Sequence, residues 1–182
     1  RTKLVSLENT HNRGGGTVQP LENIDAICSW AHAHGLLTHL DGARLFNAEA
    51  ATGIDAQRWA QGFDSVSVCF SKGLGAPVGS ALAGSREFIQ RARRARKLFG
   101  GGMRQVGILA AGALFAIQHN RERLTEDHEN AKLLAEAIRQ ASGLSVEPAP
   151  ETNIVVVRID PDLGNSDSFS KELAAVGIGG LP

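Results

Sequence analysis

Long apolar runs, a disulfide complement and an excess of charge of either sign are all missing from this chain. No stretch approaches the roughly 18 consecutive apolar residues of a membrane-spanning helix, and no charged-then-apolar leader opens the sequence. Its only two cysteines, Cys28 and Cys69, sit in apolar surroundings and point to a reducing cytoplasm. Nineteen basic residues balance nineteen acidic ones, so no global field favours nucleic acid or an anionic membrane surface. Any anion site must be local. His32 and His34 fall on different helical faces and no other Cys or His pair has ligand spacing, so no metal is expected. What is present is an ordinary globular composition: 182 residues, 42% hydrophobic and 21% charged. The chain opens at Arg1 without methionine and stops at Pro182 inside what reads as an incomplete unit, so an internal fragment of a longer protein is expected.

Apolar periodicity orders the elements. Lys3 to Glu8 reads as a buried strand, and Asn9 to Gly16 as a loop of Asn, His and Gly. Leu21, Ile24, Ile27 and Ala31 recur at helical spacing between Pro20, suited to a first turn, and Gly35, suited to the C′ position. A strand follows over 36–41, short helical pieces over 44–51 and 55–61, and a strand over 65–70. Further expectations are a short strand over 78–83, a basic helix over 86–98, a small-residue helix over 104–118 beyond the Gly100-Gly101-Gly102 break, and an amphipathic helix over 122–140. Strands over 144–146 and 153–159 and a helix over 168–176 complete the pattern. Strand alternating with helix predicts an α/β fold with a mostly parallel sheet flanked by helices. Residues 1–122 are assigned to a large domain and 123–182 to the start of a small α+β domain.

Chemistry gathers at two strand ends, where open α/β sheets bind their ligands. His39-Leu40-Asp41-Gly42-Ala43-Arg44 closes one strand and Ser71-Lys72-Gly73-Leu74-Gly75 follows another. An amine that can hold an aldehyde as a Schiff base, beside a carboxylate that keeps a pyridine nitrogen protonated, is what pyridoxal phosphate chemistry requires. Lys72 and Asp41 fill those two roles, and Arg44 could hold a substrate carboxylate in a bidentate contact. Taken singly, each feature has a plainer meaning: Asp41-Gly42 as a turn signal, Lys72 as a solvated amine, Arg44 as a helix-start ion pair. His39 shares a strand face with Asp41, so it either orients that carboxylate or is a satisfied core histidine. His11 either lines the pocket or is a surface-loop residue. The run Arg91, Arg93, Arg94, Arg96 and Lys97 has no interleaved aromatics and reads as a solvated or subunit-facing helix face.

The segments HLDGARLFNA (39–48), SVSVCFSKGLGAPVGS (65–80) and GGGMRQ (100–105), with LENTHN (7–12), resemble the L-threonine aldolase family of fold type I pyridoxal phosphate enzymes. The resemblance covers nearly the whole chain. It implies that Lys72 is the Schiff-base lysine, with Ser71 beside it at the cofactor, that Asp41 pairs with the pyridine nitrogen, and that Arg44 contacts the substrate carboxylate. It implies retro-aldol cleavage of β-hydroxy-α-amino acids to glycine and an aldehyde. It also implies a homo-oligomer, a dimer of dimers with shared active sites, in which Lys97 and Arg104 approach a cofactor or substrate anion. The family's phosphate-binding loop, ring-stacking histidine and further substrate arginine match nothing in residues 1–182, so the segment alone is expected to be inactive. Other β-eliminating or transaminating pyridoxal enzymes, and a non-catalytic truncated copy, remain alternatives on the residues alone.

Overall fold

The computed structural model describes residues 1–180; the end expected at Pro182 lies outside them. Four strands form the main sheet in the order β1 (Leu4–Glu8), β2 (Leu37–Gly42), β3 (Ser65–Cys69) and β4 (Ser80–Gly84). The first three are parallel, with Glu8 opposite Asp41 and Asp41 opposite Ser67. Two helical crossovers make that possible: α1 (Leu21–Ala33) between β1 and β2, and the pair α2 (Leu45–Thr52) and α3 (Ala56–Ala60) between β2 and β3.

β4 departs from the parallel pattern and runs antiparallel to β3. Only residues 70–79 connect the two strands, and they contain no helix. A return that short cannot cross over the sheet, so the chain reverses.

Alternation along β2 sorts its side chains. Thr38 and Leu40 are buried while His39 and Asp41 face a partly open side. Leu40 joins Ile24 and Cys28 of α1, Leu45 and Ala48 of α2, Trp59 of α3 and Val66 of β3 in the main core. Burial of Cys28 pushes its thiol pKa up, the mark of an inert packing cysteine. At the strand end remote from the site, Asp64 accepts from Thr38 N at 2.7 Å and Thr38 Oγ1 at 3.0 Å, and bonds His32 Nε2 at 3.1 Å. This network pins α1, β2 and β3 together.

Beyond the sheet, α4 (Arg86–Leu98) and α5 (Gly107–His119) flank the glycine break, and α6 (Leu124–Arg139) packs against α2. Buried Asn47 and His128 hydrogen-bond across that contact at 3.0 Å. A two-stranded antiparallel sheet of β5 (Leu144–Val146) and β6 (Val157–Ile159) follows, then α7 (Ser166–Ala175), capped by Asn165 and Ser168 in a reciprocal capping box.

The strand expected over 153–159 is thus reduced to its last three residues. Residues 148–156 instead fold back over the loop after β1, where Thr152 Oγ1 donates to the Gly16 carbonyl at 2.6 Å and Glu151 Oε2 accepts from Val18 N at 2.8 Å. The small-residue helix begins at Gly107 rather than at Arg104.

Candidate active site

Asp41 is the penultimate residue of β2, before Gly42, whose backbone lies so close to β3 that an added Cβ would stand 2.8 Å from the Ser67 carbonyl oxygen. Its Oδ1 accepts from Ala43 N at 3.1 Å, and its main-chain carbonyl accepts from Asn9 N at 3.0 Å, which ties the loop after β1 to this strand end. Together with Ser6, Leu7, Glu8, His11 and Gln19, Asp41 lines a cleft of about 460 Å³.

Lys72 stands at the first position of a tight turn, Lys72-Gly73-Leu74-Gly75. The Lys72 carbonyl accepts from Gly75 N at 2.8 Å, and Gly75 takes the left-handed φ of +75° that such a turn asks of glycine. Buried Leu74 anchors the turn in a second apolar cluster with Ala76, Ala116 and Leu124. Asn120 Nδ2 donates to the Leu74 carbonyl at 2.7 Å. A Cβ on Gly73 would stand 2.8 Å from Leu124 Cδ2. The result is an exposed amine on a backbone held from below, with Ser71 exposed beside it.

Arg44 precedes α2. Its Nη1 donates to Asn12 Oδ1 at 2.8 Å, and its Nε is buried without a protein partner. Arg44, Asn47 and Lys72 line one small recess with Ala43, Phe46, Cys69, Gly73 and Leu74. Arg44 and Lys72 therefore border the same recess.

The remaining expected residues divide. His11 lines the Asp41 cleft and lies 3.7 Å from Glu8 Oε2. His39 Nδ1 bonds Ser65 Oγ at 2.8 Å on the adjoining strand, which makes it the satisfied histidine rather than a group orienting Asp41. Lys97 and Arg104 are exposed and line neither the Asp41 cleft nor the Lys72 recess. Glu8 and Asn12 belong to the site although the sequence reading gave them no role; they lie inside LENTHN, at the strand-to-loop position where Asp41 and Lys72 were found. A wider cavity, about 770 Å³ between α2 and the α5–α6 junction, contains none of these groups.

A mostly parallel sheet flanked by helices, with Asp41 at the end of β2 and Lys72 just beyond β3, has the architecture of the fold type I class of pyridoxal phosphate-dependent enzymes. Solved structures of that class agree: a protein from Listeria monocytogenes, provisionally named an L-allo-threonine aldolase, superposes with a TM-score of 0.83 at 28% identity, over 97% of this chain and 50% of that one. The beta-eliminating lyase family model matches residues 1–161, and the chain belongs to that family. It is 48% identical to low-specificity L-threonine aldolase 1 of Arabidopsis thaliana, over 97% of this chain and 50% of that protein. It is also 48% identical to the low specificity L-threonine aldolase of Escherichia coli K12, over 87% of this chain and 46% of that one. The chain spans about half the length of the curated relatives it matches.

Proposed function

We propose that the complete protein carrying this sequence is a pyridoxal phosphate-dependent aldolase that cleaves L-threonine, L-allo-threonine and related β-hydroxy-α-amino acids to glycine and an aldehyde. The observation that carries the reading is the turn that sets Lys72 at the border of one recess with Arg44, one strand away from Asp41. The donor set suits the cofactor: an amine for its aldehyde, a carboxylate for its ring nitrogen, and an orphaned guanidinium nitrogen for an anion. When bound, pyridoxal phosphate supplies an electron sink for the charge left at Cα as the Cα–Cβ bond breaks.

The chain's own residues then divide the work. Lys72 holds the aldehyde covalently, between neighbours of little bulk. Asp41 keeps the pyridine nitrogen protonated, and Ser71 adds a hydroxyl beside the amine. Arg44 binds the substrate carboxylate and so orients the amino acid above the site. We also assign residues 1–122 to the cofactor domain and 123–182 to the start of a small domain, in a cytoplasmic homo-oligomer in which Lys97 and Arg104 serve a neighbouring subunit's site.

Product analysis tests the activity. The complete protein, supplied with the cofactor and L-threonine, is expected to release glycine and acetaldehyde. The family model's name supports a second reading, β-elimination. Pyruvate from serine or cysteine, without glycine from threonine, would select it.

A further inference from the structure

Loop 9–19, which carries Asn12 to Arg44, is crossed by segment 148–156, whose touching residues lie more than 130 positions away in the chain and have no role in the chemistry described above. The loop is tied at its base, where Asn9 Oδ1 accepts from Gln19 N at 3.2 Å and His11 N donates to the Thr17 carbonyl at 2.9 Å. At its tip, Gly15 and Gly16 adopt φ of +78° and +74° and present bare backbone to the crossing segment. A Cβ on Gly16 would stand 2.5 Å from Thr152 Oγ1, and one on Gly15 would stand 3.1 Å from Pro148. Thr152 is fully buried and spends its hydroxyl on the Gly16 carbonyl at 2.6 Å.

Asn12 is held inside this closed loop on both main-chain sides. Its N donates to Glu8 Oε1 at 3.1 Å and its carbonyl accepts from Gly15 N at 3.2 Å. Its side-chain oxygen is thereby aimed at Arg44 Nη1, 2.8 Å away. An arginine fork has several rotamers, and a carboxylate is bound bidentately only when the fork is turned to meet it. With Nη1 tied to Asn12, the buried Nε is left without a protein partner, a need a carboxylate oxygen would answer.

We infer that Asn12 is a positioning residue that sets the Arg44 guanidinium for the substrate carboxylate, and that Thr152 holds Asn12 in place by latching the loop. The inference rests on the reading of Arg44 given above. It deepens that reading by making carboxylate affinity depend on a residue of the chain's last third.

The test uses the complete protein loaded with pyridoxal phosphate. Equilibrium binding of glycine, and of ethanolamine as an amine lacking the carboxylate, is followed by the cofactor spectrum in Asn12→Ala, Asn12→Asp, Thr152→Val and Thr152→Ser. Asn12→Ala and Thr152→Val are expected to weaken glycine about tenfold, the scale of one hydrogen bond to a charged group, with ethanolamine and cofactor content unchanged. KM for L-threonine should rise with them while kcat changes little. Asn12→Asp and Thr152→Ser should restore most of the affinity. Asn12 is exposed, so its variants fold even if Thr152→Val does not. Glycine affinity unchanged in Asn12→Ala, or glycine and ethanolamine weakened alike, would overturn the inference. An Arg44→Ala protein that binds glycine normally would overturn the Arg44 reading itself, and the positioning role with it.

Discussion

At the scale of single residues, the site depends on what cannot be placed beside it. A Cβ on Gly42 meets the main chain of β3, and a Cβ on Gly73 meets a Leu124 side chain that is only 1% exposed and has nowhere to go. Gly42→Ala and Gly73→Ala are each expected to cost about 1–3 kcal/mol by overpacking, measurable in urea melts, with unchanged stability as the contrary result. His128 gives a pH signature. Burial holds its pKa below the ordinary histidine value of 6.5, so the unfolded chain binds a proton that the folded chain resists. Its contribution is intact above pH 6.5 and is lost as pH falls through 6.5 toward the lowered value. Denaturant melts between pH 7.5 and 5.5 should show that loss, and His128→Gln should flatten it. The positions of Asp41, Arg44 and Lys72 near strand ends were legible in the sequence because strand ends announce themselves through apolar runs that stop at Asp-Gly or Ser-Lys-Gly. The partner of His39 was not legible, because it is fixed by the β2–β3 register, which pairs His39 with Ser65.

At the scale of elements, the sequence period located nearly every helix and strand, and the exceptions have tertiary causes. Ile154, Val155 and Val156 carry a strand-like pattern, yet Ile154 and Val156 lie against Gly16 and Gly15 of the β1 loop, and pairing is left to 157–159. The reversal at β4 follows from the ten-residue return, and the sequence pattern, which marked a short strand there within a mostly parallel sheet, carried no direction for it. That return carries Lys72, so on the proposed reading its turn geometry should be separable from the lysine itself. Gly75→Ala, forced into the left-handed region, is expected to destabilise by about 1–2 kcal/mol and to slow covalent capture of the cofactor by Lys72. Wild-type stability and capture in that variant would show that the turn does not place the amine.

At the scale of the whole molecule, the chain carries a carboxylate, a guanidinium and an amine at one edge of a sheet while spanning about half the length of its curated relatives. Part of its apolar surface is uncovered: Leu98 is 79% exposed, Phe99 85% and Ile108 85%, all around the α4–α5 junction. Patches of this kind mark interfaces. The 182-residue chain alone is therefore expected to bind a hydrophobic dye and to self-associate, and the complete protein to do neither beyond its native assembly. Equal dye binding by both would show that this face is ordinary surface.

The most direct test of the account is an absorbance spectrum of the complete protein with pyridoxal phosphate, before and after borohydride reduction, with peptide mapping of the reduced product. The account predicts a visible band that reduction removes and a cofactor label on Lys72. No band, or a label on another lysine, would contradict it.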